Sequence, residues 1–405
     1  MRAEDNELLC RVENGAPMGE MFRECFWTPA GRSARVIAGG DPVRIKLLGD
    51  NYVIFRGIDG KLGFLDEACP HRGVSLALGR NENCTLRCIF HGWRINTAGE
   101  VVEVPNEHTN PEEFRKKIKT RKYLVREEGG VIWVWLGKSE PKPFPMFEFM
   151  KLPPKNVAVF AQPTRSNWVQ CLEGVIDSSH LGVLHKDQVP NFVTPGISFS
   201  ENDNAPIFEV DGKSYGIEAS AMRMMSEGSR YARVTIYVAP HVTFIPPNGD
   251  GDRLVHISVI HDDVNCTQLV LYYNADREPQ PQPWYGDFSD PENFAPLQGD
   301  ASNYWGQNRE AMRAGTSYSG FAHLFSEDLA VQESAGKIVD RSKENLCSGD
   351  LAIARARRML LQAVKDFSGG KTPDIAKRDG RESEIAARCI IIPQGQDWRR
   401  IQHSI

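Results

Sequence analysis

The sequence has no long apolar run, no excess of positive charge and no glycine-rich dinucleotide fingerprint, and each absence argues against a class of function. A transmembrane helix needs ~20 consecutive apolar residues, whereas Val131–Leu136 is among the longest apolar runs of these 405 residues. Lys and Arg number 48 against 53 Asp and Glu, so the net charge of −5 argues against nucleic acid as the main partner. Without a G-x-G-x-x-G motif, the chain is not expected to bind flavin or nicotinamide itself.

A disulfide framework is also missing, although nine cysteines are present. Their number is odd, their spacing forms no framework, and the first residues, MRAEDNELLCRV, lack the apolar core of a secretory signal. We therefore expect reduced thiols and a cytoplasmic protein. The composition, with 41% hydrophobic and 25% charged residues, is that of an ordinary globular protein. Metal binding or redox chemistry is thus the first role to test for some of the cysteines.

The first third of the chain reads as short strands separated by turns. β-Branched and aromatic runs such as Val43–Leu47 alternate with Gly, Asp and Asn. Prolines clustered between Pro141 and Pro154 are typical of a domain boundary. We therefore predict a small all-β domain over residues 1–150 and a larger α+β domain with an antiparallel sheet over 151–405.

Three features are expected in the second part. A helix is predicted over 167–184, followed by long strands. Residues 277–299 are rich in Pro and Gln, which predicts a surface loop or a disordered excursion. Near the end, Asp350 is typical of a helix N-cap and the pair Gly369-Gly370 of a helix stop.

Two short segments each combine one cysteine with one histidine. Cys69 precedes His71 by two residues, and Cys88 precedes His91 by three, each in a glycine-containing loop. A zinc site accepts these ligand types, but its usual spacing pairs Cys with Cys and His with His. Mixed loops suit a 2Fe–2S cluster in which two cysteines hold one iron and two histidines hold the other. Chance proximity or a structural knot is the remaining alternative.

A second cluster of metal-binding residue types follows in the predicted helix. Glu173, Asp177 and His180 have the spacing of one helix face, but His185 lies about 140° away from His180 at ~100° per residue. Both imidazoles can reach one metal only if the helix ends, loosens or bulges between them. Gly182 is the position at which we expect that break.

Two imidazoles and one carboxylate form the facial triad of non-haem Fe(II) oxygenases, which leaves other positions open for O2. The carboxylate must come from another segment. Our first choice is Asp328, while Glu327 and Glu333 are rivals that spacing does not exclude. The alternative for the two histidines is that they are ordinary core or surface residues.

The segments Cys69–Gly73 and Cys88–Trp93 resemble the Rieske motif, and this likeness covers roughly residues 26–145. Over essentially its whole length the chain resembles the catalytic subunit of Rieske ring-hydroxylating oxygenases, and more narrowly the phthalate dioxygenase type. The stretches that carry the narrower likeness are Asn6–Leu9 with Pro17–Glu20, Leu172–His180, and Asp328–Ser334 running on through Asp340–Ser342 to Asp350 and Arg357-Arg358.

The resemblance implies a fold, two cofactors and a role for most of the residues above. The fold would be an α+β chain with a small all-β Rieske domain and a helix-grip, START-like catalytic domain built on an antiparallel sheet. The resemblance makes Asp177 a bridge between His180 and His91 of the partner subunit, which implies a homotrimer or a stacked hexamer. It implies that Cys69, His71, Cys88 and His91 hold the 2Fe–2S cluster, and that His180, His185 and Asp328 hold Fe(II).

Glu173 marks a departure from the family pattern, since naphthalene-type members have Asn at this place near the iron. We keep Glu173 beside Asp177 as a candidate catalytic residue. Active-site hydrogen bonding known from the naphthalene-type members is therefore not carried over to this chain.

Substrate binding is predicted from arginines in strand-like segments of the catalytic domain. An Arg that faces an apolar pocket can hold a carboxylate bidentately. By resemblance Arg233 is the preferred anchor, with Arg223 and Ser178 as further candidates; for any one arginine, a solvated strand residue is the alternative. Some phthalate-specific members have a basic residue where this chain has Ile207, which favours an aromatic monocarboxylate such as a chlorobenzoate or phenoxybenzoate.

The main hypothesis is a terminal oxygenase that uses O2 to cis-dihydroxylate an aromatic carboxylate. A Rieske monooxygenase or O-demethylase would use the same metal centres. From another class, a non-catalytic electron carrier, a redox sensor or a zinc-binding structural protein is possible in principle. Electrons would come from NAD(P)H through a separate flavin and iron–sulfur reductase, or through a ferredoxin with its reductase.

Overall fold

The computed structural model describes residues 1–188, 205–225, 228–247, 251–378 and 380–401. The helices of these ranges are α1 Ala3–Cys10, α2 Pro17–Cys25, α3 Pro111–Lys117, α4 Trp168–Ile176, α5 Leu181–Leu184, α6 Arg309–Ala314, α7 Leu324–Ser334 and α8 Leu351–Ser368. The strands are β1 Trp27–Arg32, β2 Val43–Leu47, β3 Asp50–Arg56, β4 Leu62–Asp66, β5 Arg80–Glu82, β6 Thr85–Arg87, β7 Arg94–Asn96, β8 Val101–Glu103, β9 Leu124–Glu128, β10 Val131–Trp135, β11 Val157–Thr164, β12 Ile207–Lys213, β13 Gly216–Met224, β14 Arg230–Val238, β15 Val242–Ile245, β16 Arg253–Ile260, β17 Cys266–Tyr273 and β18 Arg388–Ile392.

The first part of the chain forms three small antiparallel sheets. Their strand orders are β1-β10-β9, β2-β3-β4 and β5-β6-β7-β8. The four-stranded sheet carries the second Cys–His loop, because Cys88 and His91 lie between β6 and β7. The expected strand Val43–Leu47 is present with these bounds.

The second part is one antiparallel sheet with helices packed on it. The order is β11-β17-β16-β15-β14-β13-β12, and β18 pairs with β14 beside β15. Helix α4 contacts β14, β15 and β16, while α8 contacts β12 and β13. Helix α8 begins after Asp350 and ends before Gly369, as the sequence predicts. The predicted fold class, a small all-β domain followed by an antiparallel-sheet domain, is confirmed.

The N-terminal helices pack against the second part of the chain. α1 and α2 both contact α8, and Leu9, Met18 and Leu360 belong to one buried cluster. That cluster also includes Trp135 from the first part, so the apolar core is continuous past residue 150. The division of the chain at residue 150 stays a prediction.

Two expectations for the second part need correction. The helix predicted over 167–184 is interrupted, because α4 ends at Ile176 and α5 begins only at Leu181. The loop over 277–299 has neither helix nor strand, as expected, but it is not simply a surface excursion. Its Tyr285 and Phe294 are buried against the sheet. Among the described helices, none is both long and apolar enough to cross a membrane.

Candidate metal centres and substrate cavity

The two Cys–His loops have the same backbone geometry. The N–H of Gly73 donates to the carbonyl of Cys69 at 2.9 Å, and the N–H of Gly92 donates to the carbonyl of Cys88 at 3.0 Å. Both glycines adopt the left-handed region, with φ of 73° and 75°. A side chain at either glycine would strain the turn. Each loop therefore presents one thiol and one imidazole in a matching arrangement.

The side chains of these loops suit a cluster ligated by sulfur and nitrogen. The rings of His71 and His91 lie 4.6 Å apart, and His71 stacks on Trp93. Nδ1 of His91 is buried without a hydrogen-bond partner among the described residues. Burial raises the pKa of the Cys69 thiol to about 11. Such a thiol stays protonated at neutral pH unless a metal cation replaces the proton, so these residues fit a 2Fe–2S cluster.

His180, His185 and Asp328 converge on one point. One ligand atom from each lies within 4.8 Å of the others. Asp328 Oδ1 is 3.6 Å from Nε2 of His180 and 3.3 Å from Nε2 of His185. Nε2 of His185 is buried and makes no hydrogen bond to any described residue. Two imidazoles, one of them with an unpartnered nitrogen, and a carboxylate fit a mononuclear Fe(II).

The chain brings both imidazoles together by ending α4 early rather than by a break at Gly182. Asp177 follows α4 with ψ of 122°, which ends the helix. His180 then precedes α5 and His185 follows it, so one short helical turn separates the two ligands. Gly182 lies inside that turn. The break therefore comes before His180, and the expected single face of Glu173, Asp177 and His180 does not exist.

His185 is also held by a carboxylate outside the three converging side chains. Its Nδ1 lies 2.6 Å from Glu327 Oε2, and the hydroxyl of Ser319 donates to the other oxygen of Glu327 at 2.5 Å. Burial disfavours the charged ring, but Asp328 and Glu327 outweigh it and raise the pKa of His185 to about 9. Of the rival carboxylates, Glu327 therefore orients a histidine, whereas Glu333 bonds Arg165 and lies outside the cluster.

Asp177 contacts the imidazole of His180 from the other side. Its Oδ2 is 3.4 Å from Nδ1 of His180, and its Oδ1 accepts hydrogen bonds from the N–H and hydroxyl of Ser179 at 2.7 and 2.6 Å. Burial opposes ionisation, but His180 and Ser179 outweigh it and lower the pKa of Asp177. No hydrogen bond joins Asp177 to His91 within the described part of this chain.

Glu173 does not line the metal site. It belongs instead to a buried ion network in which Arg341 donates to both carboxylate oxygens, at 3.0 and 2.9 Å, and Arg357 donates to one at 2.6 Å. Arg341 is fully buried and also donates to the side chain of Asn6 on α1. The network ties α1, α4 and α8 together, so the position of Glu173 points to a structural role rather than the catalytic one we expected.

Substituting Glu173 tests this role. We expect Glu173→Gln to destabilise the protein by about 3–5 kcal/mol, because it leaves the guanidinium of Arg341 buried without its main counter-charge. Urea denaturation followed by circular dichroism measures the change. The control Lys343→Ala removes an ion pair with Asp340 that is exposed to solvent, and we expect it to leave the stability nearly unchanged, because solvent and salt screen such a pair. Unchanged stability of Glu173→Gln with lost hydroxylation would instead support a catalytic Glu173.

A cavity opens beside the three converging side chains. Its wall includes Arg233 and Ser178 together with His180, His185 and Asp328. Arg233 is 4% exposed and donates to the carbonyl of Pro246 at 3.0 Å. The apolar part of the wall comprises Val175, Leu181, Ile245, Pro246, Leu254, Leu324, Phe325 and Leu329. A largely apolar cavity with a few polar groups is typical of a small-molecule site.

Arg223 is not among the lining residues of this cavity. It is buried on β13, and its Nη2 lies 3.4 Å from the carbonyl oxygen of Ser178. Arg223 therefore contacts the segment that follows Asp177, whereas Arg233 lines the cavity itself. Of the arginine candidates, the geometry favours Arg233 as the one that meets a ligand.

Comparisons with known proteins agree with both halves of this description. The family described as Rieske [2Fe-2S] domain matches residues 26–123, and the family described as LigXa C-terminal domain like matches residues 134–405. The chain is 36% identical to the oxygenase subunit of phthalate 4,5-dioxygenase from Pseudomonas putida, over 98% of this chain and 94% of that protein.

A second relative and a solved structure extend the likeness. The oxygenase subunit of 3-chlorobenzoate-3,4-dioxygenase from Comamonas testosteroni is 34% identical over 97% of this chain and 96% of that protein. Dicamba monooxygenase bound to dicamba superposes with a TM-score of 0.60 at 17% identity, covering 86% of this chain and 99% of that one. The structural superposition supports the fold alone, whereas the two sequence identities support membership of the family.

Proposed function

The chain belongs to the Rieske non-haem iron oxygenases, as an oxygenase subunit, and from that premise we propose that it hydroxylates an aromatic carboxylate with O2. Its relatives named above are oxygenase subunits for phthalate and 3-chlorobenzoate. The cofactors are a 2Fe–2S Rieske cluster and a mononuclear Fe(II). The observation that carries the proposal is the convergence of two imidazoles, a carboxylate and Arg233 on one cavity.

We assign the cluster to Cys69, His71, Cys88 and His91 and the Fe(II) to His180, His185 and Asp328. When bound, the two centres supply electron transfer and O2 activation. The chain contributes the geometry: Glu327 lies 2.6 Å from Nδ1 of His185 and Asp177 lies 3.4 Å from Nδ1 of His180, so these two carboxylates orient the imidazoles of the Fe(II) site. In the expected reaction, both atoms of O2 enter the ring, and two electrons and two protons are consumed.

Arg233 is the proposed anchor for the carboxylate of the substrate. Its side chain lies in a largely apolar wall, where a charge-assisted bond to a carboxylate is strong. Burial opposes the charged form, but neighbouring groups outweigh it and raise the pKa of Arg233, so the guanidinium stays charged. The carboxylate would orient the ring toward the side of the cavity where His180, His185 and Asp328 converge.

The substitution Arg233→Gln is expected to lower kcat/KM for aromatic carboxylates by roughly 30-fold or more, since breaking a buried charge pair costs about 2–5 kcal/mol. Most of the loss should appear in KM. The control is Arg230→Gln. It changes an arginine at the start of the same strand, which donates a hydrogen bond to the carbonyl of Gln396. Steady-state kinetics with a compatible reductase measures both variants. Equal losses in the two variants would contradict the anchor.

We also propose that the active form is a closed ring of subunits in the cytoplasm, most simply a trimer. Asp177 contacts His180 at 3.4 Å and makes no hydrogen bond to His91 in the described part of its own chain, so His91 of the partner subunit is the natural second contact. The loop tip next to the cluster ligands exposes Ile89 and Phe90, which are 57% and 52% accessible. Such apolar tips are typical of an interface. Sedimentation and activity of dilute monomer test this proposal.

The experiment that tests the main function is O2 uptake with product identification over a panel of aromatic acids, with a compatible reductase and NAD(P)H. We expect a cis-dihydrodiol from at least one acid. A phenol with water, or a phenol with formaldehyde from a methoxy group, would assign monooxygenation or demethylation instead. If no aromatic acid stimulates O2 uptake and none is converted, the proposal is wrong.

A further inference from the structure

His256 is a buried polar residue in the wall of the same cavity, outside the three converging ligands. It lies on β16, is 8% exposed and lines the cavity together with Arg233. Its Nδ1 is buried and has no hydrogen-bond partner in the described ranges. Nearly all buried polar atoms in folded proteins are hydrogen-bonded. Because His256 belongs to the wall of the cavity, a bound molecule can supply the missing partner.

The imidazole of His256 is neutral and its plane is fixed. Burial lowers the pKa of His256 to about 4, although Asp328 opposes the change. The ring stacks on Phe325 with centroids 5.5 Å apart and planes 27° apart. A neutral imidazole offers one N–H donor and one acceptor nitrogen. Such a ring suits a polar group that can itself both donate and accept a hydrogen bond.

Two other amide side chains of the cavity wall, Gln162 and Gln268, are already satisfied. Oε1 of Gln162 accepts from the N–H of Ala295 at 2.7 Å, and its Nε2 donates to Asn293 at 2.9 Å. Nε2 of Gln268 donates to the hydroxyl of Ser258 at 3.0 Å. These side chains shape the wall, whereas His256 retains hydrogen-bonding capacity for a ligand.

We propose that His256 is a specificity-determining residue that hydrogen-bonds a hydroxyl substituent on the ring of the substrate, an inference that rests on the proposed oxidation of an aromatic carboxylate. A hydroxyl both donates and accepts, so it satisfies either tautomer of the ring. A bare ring leaves the nitrogen without a partner. A second carboxylate fits less well, because a neutral imidazole brings no opposing charge. The substrate class is therefore a hydroxylated aromatic monocarboxylate.

The test compares benzoate with the three hydroxybenzoate isomers on the reconstituted holoenzyme. Calorimetry gives Kd for each acid, and turnover with a reductase gives kcat/KM. For the best isomer, we expect the intact protein to prefer the hydroxylated acid by about tenfold or more in both measures, because an unmet buried polar group is costly. In His256→Leu this ratio should fall to about one, whereas His256→Asn, which keeps a donor and an acceptor, should restore part of it.

The outcomes separate this proposal from the proposed function. His256→Leu should not lower the thermal midpoint, because leucine removes a polar atom that had no partner; a large drop would assign His256 a structural role and overturn the inference. Equal affinity of the intact protein for benzoate and hydroxybenzoates, or an unchanged ratio in His256→Leu, would also overturn it while oxidation of the acids stands. If acids bind but none is turned over, the proposed function is wrong. The ratio of the Kd values for benzoate and the best hydroxybenzoate then tests the role of His256 by itself. If no acid binds, both proposals are wrong.

Discussion

Replacing Asp328 with alanine is expected to remove the mononuclear iron and abolish hydroxylation while the Rieske cluster remains. His180 and His185 lie on either side of α5, and Asp328 on α7 supplies the carboxylate of the three converging side chains. Two neutral imidazoles hold Fe(II) weakly without that charge. Chemical analysis should give about two irons and two sulfides per chain, against about three irons and two sulfides in the intact protein.

The rival carboxylates provide matched controls for this prediction. Glu327→Gln keeps the ligand set but weakens the hold on His185, so iron affinity should fall by about 10–100-fold. Glu333→Gln changes a carboxylate that bonds Arg165, and the iron content should stay at that of the intact protein. If Asp328→Ala keeps its full iron content and one of the two control variants loses iron, the carboxylate changed in that control variant is the iron ligand.

The substitution Asp177→Asn is expected to separate oxidation of the cluster from oxidation of the substrate. Asparagine has nearly the same shape but no charge, so it loses the attraction that orients His180 and would orient His91 of the partner subunit. We expect both metals to stay bound and product formation to fall by about 10–100-fold. A single turnover of the reduced protein measures cluster oxidation by visible absorbance and product by chromatography.

A control and a contradicting result follow from the same experiment. Asp187→Asn changes an exposed carboxylate shortly after α5, which bonds the N–H of Tyr318, and its single turnover should match that of the intact protein. Normal product yield and normal cluster oxidation in Asp177→Asn would refute the bridge. Loss of metal from that variant would show that Asp177 acts on folding of the site rather than on transfer between the centres.

Much of the fold is predictable because it depends on local patterns. The strand Val43–Leu47 follows from side-chain alternation, and the end of α8 before Gly369 follows from glycine as a helix stop. The interruption after Ile176 is less accessible, because no glycine or proline marks it. Gly182 looked like the natural break, yet the chain ends α4 earlier, where Asp177 bonds Ser179. Local side-chain hydrogen bonds at such turns compete with the helix without a strong signal in composition.

Of the residues that surround the metal site and the cavity, only some could be predicted from the sequence. A metal-bound histidine usually donates its second N–H to a carboxylate. Because Glu327 is adjacent to Asp328 in the sequence, its contact with a histidine of the site could have been predicted. No sequence pattern marks Ser319 or His256, because each is a single polar residue whose role depends on a neighbour distant in sequence. The ion pair of Glu173 with Arg341 had no local signal either, because the two residues lie far apart along the chain.

The family and the residue types of both centres can be recognised without coordinates, because the Cys–His loops and the pair His180 and His185 are short motifs whose spacing is set by metal geometry. The distant groups that complete the sites became known from the folded chain. It brought Asp328 to the histidines, directed Arg233 rather than Arg223 into the cavity, and placed Glu173 in an ion network. The physical reason is that burial and pairing of a side chain depend on how helices and strands pack, and packing couples residues that no local pattern relates.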